Sequence, residues 1–140
     1  MIENRSGEIV NRIIEKTKTK EIEWERLNKI VTKKGTPSTI PMLNLYLREI
    51  DEEIRDGAPI ELNEDGSFYA FYNAGYMYLF DFYNEMDEEM YYILGIQANL
   101  DATIVRLKYD KSMQKELRRL KNLIQEQINN IDSYIDNLLK

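Results

Sequence analysis

The chain of 140 residues contains no cysteine and no histidine. Without Cys there can be no disulfide, no thiolate nucleophile and no Cys-ligated metal. Without His the commonest general base and the commonest transition-metal ligand are both missing. Glycine is scarce and scattered: its six positions (7, 35, 57, 66, 75 and 95) are never closer than nine residues. A phosphate-cradling loop needs clustered glycines at a helix start, so Walker-type and dinucleotide fingerprints are absent. No apolar run approaches the roughly 20 residues that span a bilayer, and Met1 to Arg12 holds polar residues throughout. The expectation is a cytoplasmic protein with no membrane contact.

What remains is 43% hydrophobic and 31% charged, the balance of a globular chain, and 140 residues suffice for one domain around one core. The net charge of −6 disfavours direct nucleic-acid binding, but the charges are segregated. Residues 1–36 sum to +3, residues 45–90 to −11 and residues 103–125 to +5. The fold is therefore expected to have an acidic side and a basic side.

The most aromatic stretch, Ser67 to Ile96, reads as a β-meander. Phe68 to Tyr72 and Tyr76 to Phe82 are rich in Tyr and Phe, and Asn73-Ala74-Gly75 separates them. Because Ala tolerates positive φ poorly, the expected link is a three-residue loop with Gly75 left-handed, which pairs Tyr72 with Tyr76. That register places Phe68, Ala70, Tyr72, Tyr76, Tyr78, Phe80 and Phe82 on one face, and Tyr69, Phe71, Met77 and Leu79 on the other. A second turn at Asn84 to Glu89 leads to a strand from Met90 to about Gln97, and Thr103 to Lys108 is a candidate fourth.

Helices are expected on either side. Ser6 starts a first amphipathic helix through Ile9, Val10, Ile13 and Ile14, ending near Thr17 to Lys20. Lys18 to Trp24 fits an edge strand or another helical turn, with Trp24 as a core anchor. Thr32 to Thr39 is a linker, and Met42 to Arg55 a second amphipathic helix. Ala58 to Gly66 is a loop whose Glu61, Asn63, Asp65 and Gly66 mimic the first half of a calcium loop. Tyr72 stands where the bidentate Glu is required, so a plain turn explains them. Met113, Leu117, Leu120, Ile124 and Ile128 predict the strongest helix; a break at Asn129-Asn130 before a short last helix is favoured over one long continuous helix. The predicted fold class is α+β: a three- to four-stranded antiparallel meander packed with N-terminal and C-terminal helices, helix outweighing strand.

No catalytic residue, metal ligand or cofactor is assigned, and the chain reads as a noncatalytic interaction protein. Its candidate partner-binding residues are Asp51, Glu52, Glu85, Asp87, Glu88 and Glu89, an acidic face able to compete for a basic groove on another protein. A solvated turn that blocks edge pairing is the plainer account of the last four. The alternative function is a nucleotide-like ligand module in which Tyr78 and Phe82 stack while Arg106, Arg118 and Arg119 pair with phosphate. Adjacent Arg118 and Arg119 point about 100° apart on a helix, which weakens it.

At Glu15-Lys16-Thr17-Lys18, at Ile22-Glu23-Trp24-Glu25 and again from Phe68 to Tyr76 with Tyr78-Leu79, the chain resembles small uncharacterised proteins of Gram-positive bacteria and their phages and mobile elements. The likeness lies in the order of parts over about two thirds of the chain, with residues 28–62 as an insertion. The resemblance implies a phage or mobile-element accessory protein that acts by blocking another protein, here read as a host nucleic-acid-handling or defence protein. A homo-oligomer is a separate expectation.

Overall fold

The computed structural model describes residues 2–27, 60–84, 88–99, 102–107 and 113–140. Within them α1 (Ile2–Lys18) is followed by β1 (Glu25–Arg26), β2 (Ile60–Leu62), a 3₁₀ turn (Glu64–Gly66), β3 (Phe68–Tyr72), β4 (Gly75–Asn84), β5 (Glu89–Gln97), β6 (Val105–Arg106), α2 (Gln114–Asn129) and α3 (Ile131–Leu138). The class is α+β, with one antiparallel sheet of six strands rather than three or four. Strand order is β1-β3-β4-β5-β6, and β2 pairs with β4 beyond the end of β3. The additions are short: β1 has two residues and β2 three, below the length at which alternation is visible in sequence. The linker at 32–39, the helix at 42–55 and residues Asp51, Glu52, Glu85 and Asp87 lie outside the described residues.

The hairpin register differs from expectation by one residue. Tyr72 pairs with Gly75, not Tyr76, because Asn73 (φ 53°) and Ala74 (φ 66°) form a two-residue loop with both φ positive. The twist of such primed turns matches that of the strands they join, and this outweighs the left-handed penalty at Ala74. Gly75 is required for a different reason: a Cβ there would come within 2.9 Å of the Gln97 carbonyl oxygen on β5. Since side chains alternate, the one-residue shift exchanges the faces of β3. Phe68, Ala70 and Tyr72 join Met77 and Leu79, while Tyr69 and Phe71 join Tyr76, Tyr78, Phe80 and Phe82.

Both faces are packed. On one, Phe68, Ala70, Leu79, Tyr92 and Leu94 meet Val10, Ile13 and Ile14 of α1 and Leu117, Leu120 and Ile124 of α2, with Trp24 buried among them. On the other, Tyr78, Phe80, Phe82, Leu27, Ile93 and Ile104 form a second buried cluster. The rings of Phe71, Tyr76, Tyr78, Phe80 and Phe82 run along it at centroid spacings of 5.0, 6.3, 5.6 and 6.3 Å. The aromatic ladder is core over most of its length, and only Phe71, at 61% exposure, reaches well into solvent.

The helices end where local chemistry stops them. After α1, Lys20 adopts φ 64° and the Ile22 N–H donates to the Lys16 carbonyl at 3.1 Å, folding Ile22 back onto the last turn. α2 stops at Asn130, left-handed at φ 43° and ψ 46°, whose N–H donates to the Glu126 carbonyl. The expected break before the last helix is thus present. Asn130 makes no side-chain cap bond, so its tolerance of left-handed backbone, not capping, is what places it there.

Candidate functional site: a cation-rimmed groove beside α1

Arg5, Ile9, Arg12, Ile13 and Lys16 recur at steps of four, three, one and three, which puts them along one side of α1. That side faces a groove of about 340 Å³ between α1 and the sheet, walled by Ile9, Ile13, Ile22, Tyr72, Met77 and Ile96. Ile22 enters the wall through the reversal after α1. Tyr72, Met77 and Ile96 enter it because the observed register puts all three on the helix-facing side, with Met77 opposite Ile96. The rim carries Arg5, Arg12, Lys16 and Glu8, three cations and one carboxylate.

Lys16 closes one end. Its ammonium bonds the Glu21 carboxylate, the Tyr72 hydroxyl donates to the same carboxylate at 3.3 Å, and the ammonium stands 5.6 Å from the centre of the Tyr72 ring. The bonds to Glu21 and Tyr72 raise the Lys16 pKa, and Lys16 lowers that of Glu21. Arg5 and Arg12 are exposed and form no ion pair among the described residues. The groove therefore offers an apolar wall beside two available guanidinium groups, a surface suited to something with an apolar body and an acidic flank.

A second polar constellation sits beneath α2. The fully buried Asp81 accepts from Lys121 Nζ at 2.9 Å and from Asn63 Nδ2 at 3.4 Å, and Lys121 also reaches the Tyr92 hydroxyl at 3.4 Å. Burial raises the Asp81 pKa against the opposing pull of Lys121 and Asn63. Burial works most strongly against the Lys121 charge, but the bond to and charge of Asp81, together with Tyr92, outweigh it and the Lys121 pKa is raised. The cluster fastens the gap between β2 and β3. Asn63 N–H donates to the Asp81 carbonyl, Asp81 N–H donates to Ser67 Oγ, and Ser67 Oγ donates to the Asn63 carbonyl, all within 2.9 Å. A Cβ at Gly66 would lie 2.7 Å from Asp81 Oδ2, so the turn closes directly on the carboxylate. These contacts make the cluster structural.

Residues singled out from sequence are dispersed. Tyr78 and Phe82 are buried on the face opposite α2. Arg106 pairs with Gly95, which pairs with Tyr78, so it belongs to that same face, whereas Arg118 and Arg119 are exposed on α2 across the sheet. No common ligand surface joins the five. Glu88 and Glu89 are exposed and share with Arg118, Gln114, Met90 and Tyr91 a recess of about 440 Å³, so a cation stands among the acidic residues there. Arg5 and Arg12 were not singled out. Their seven-residue spacing beside Ile9 is a visible signal, but the same pattern marks any solvated helix side, and only the sheet opposite makes it a groove. Among the described residues, no group of three or more acidic side chains is placed to hold a metal ion. Set against protein-family models, curated proteins and solved structures, the chain matches none, so the site is read from its own geometry alone.

Proposed function

We propose that the protein is a noncatalytic interaction protein whose binding surface is the α1 groove. In this reading the groove holds a short amphipathic segment of a protein partner, apolar side against Ile9, Met77 and Ile96, acidic residues against Arg5 and Arg12. The observation that carries it is a rim on which Arg5, Arg12 and Lys16 outnumber the single carboxylate of Glu8, on an apolar groove in a chain of net charge −6. Apolar burial supplies affinity at about 25 cal/mol per Å², and the cations supply orientation and partner choice. This reading sets the working surface on a cation-rich groove, opposite in sign to the acidic face read from sequence.

The test is a panel of helical peptides sharing one apolar face and differing only in flanking charge, titrated onto isotope-labelled protein. Acid-flanked peptides are expected to shift the amides of Ile9 to Lys16 and of Met77, and Arg5→Glu with Arg12→Glu to weaken them at least about tenfold, or 1.4 kcal/mol. Equal binding of acid- and base-flanked peptides, or shifts centred elsewhere, would overturn the reading.

A further inference from the structure

Among the described residues, the α1 groove and α3 both present apolar side chains to solvent, and the two are of matching character. From Tyr134 to Lys140 every residue is exposed, with Tyr134 at 60%, Ile135 at 45%, Leu138 at 64% and Leu139 at 81%. Eight residues fall short of the roughly 12–15 at which isolated helices persist in water, so α3 needs a surface to lie on. Tyr134 with Leu138, and Ile135 with Leu139, are four-apart pairs on neighbouring rows and form one stripe, the anchor pattern of a helix in a groove.

Length and charge agree as well. α3 is about 12 Å long at 1.5 Å per residue, and the part of α1 from Arg5 to Lys16 that walls the groove is about 18 Å, so α3 fits within it. Asp136, exposed on α3, sets an acid against the Arg5 and Arg12 side of the rim.

We propose that α3 of one copy seats in the α1 groove of a second copy, and reciprocally, so that two chains close into a two-fold dimer. The proposal rests on the reading of the groove as a segment-binding surface. The chain's own groove is disfavoured by its connection. Asn130 alone joins α3 to α2, and the last turns of α2 are pinned by Gln127, which accepts from the Trp24 N–H at 2.7 Å and donates to the Ile22 carbonyl at 2.9 Å. Folding α3 back would require a new conformation at Asn130 or release of that turn, so the proposal places the groove on a second copy. Reciprocal exchange uses both grooves and closes, while one-way docking would propagate into a filament.

The experiment is light scattering coupled to size exclusion, from about 1 µM to about 1 mM. Wild type is expected to pass from monomer to dimer. Ile135→Asp with Leu138→Asp on α3, and separately Ile9→Glu with Arg12→Glu in the groove, should each raise the dissociation constant at least about tenfold. Mixing the two variants restores one intact contact, α3 of the groove variant in the groove of the α3 variant, so a heterodimer should form that neither gives alone. Absence of that heterodimer overturns the proposal, as does a wild type that stays monomeric throughout, including one whose α3 amides report docking within a single chain. If wild type stays monomeric but acid-flanked peptides still bind the groove, only the second-copy occupant is lost; if neither occurs, the groove reading falls too.

Discussion

Asp81 shows at the scale of one residue how a buried charge is held. Its carboxylate has Lys121 and Asn63 on one oxygen, while Oδ1, also buried, has no hydrogen-bond partner among the described residues. Its folded pKa lies above the ordinary 3.8, so its contribution to stability is present at low pH and is lost as pH rises through the folded value. Lys121→Met removes the partner that opposes this rise. It is expected to cost about 3 kcal/mol near pH 7, because a buried carboxylate is left uncompensated. The cost should shrink as pH falls and Asp81 takes up a proton; urea titrations at several pH values give the sign, and a pH-independent loss would contradict it. The hairpin loop gives a second test. Ala74 sits at φ 66°, so Ala74→Gly should stabilise by about 1 kcal/mol, whereas Gly75→Ala, driven toward the Gln97 carbonyl, should destabilise by about 1–3 kcal/mol. Thermal melts of the two variants should move in opposite directions.

At the scale of elements, two glutamine side chains join α2 to the rest of the fold. Gln114 accepts from the Tyr92 N–H at 2.8 Å and donates to the Tyr92 carbonyl at 2.9 Å, completing the edge of β5 where β6 does not reach. Gln127 does the same at the other end for Ile22 and Trp24, while the Trp24 indole donates to Thr17 Oγ1 at 3.0 Å. Each amide satisfies one backbone donor and at least one backbone acceptor, Gln127 also reaching the Thr17 carbonyl at 3.4 Å. Replacing either by Leu should therefore cost about 2–3 kcal/mol, more than an ordinary exposed polar deletion, because partly buried main-chain groups lose their partners. Denaturation of Gln114→Leu and Gln127→Leu measures this, and a loss below about 0.5 kcal/mol would show that water replaces the amide.

At the scale of the molecule, stability should be graded outward from β4. Leu79, Phe80, Asp81, Ile93 and Leu94 are fully buried at the centre of the sheet, and α3 is exposed throughout its second half. Hydrogen exchange is expected to be slowest at β4 and β5, opening only with global unfolding, and fastest at α3 in dilute solution. If α3 docks on a second copy, its amides gain protection as concentration rises while those of β4 remain unchanged. Protection of α3 that does not depend on concentration would point to contacts within one chain.

Several features were legible in the residues themselves. The apolar spacing of α1 and α2, the break at Asn130, the strand that became β5 and the burial of Trp24 all follow from local periodicity and residue type, which act over a few positions and are written in the chain. The hairpin register was not legible, because it turned on about 1 kcal/mol between a strained Ala in a primed turn and a longer loop. That small difference was settled by strand twist and by the approach of Gly75 to β5, and it decided which aromatic residues face the helices. The groove likewise belongs to tertiary structure. Arg5 and Arg12 beside Ile9 describe a solvated helix side until Met77, Ile96 and Ile22 are brought opposite, and only long-range packing brings them there.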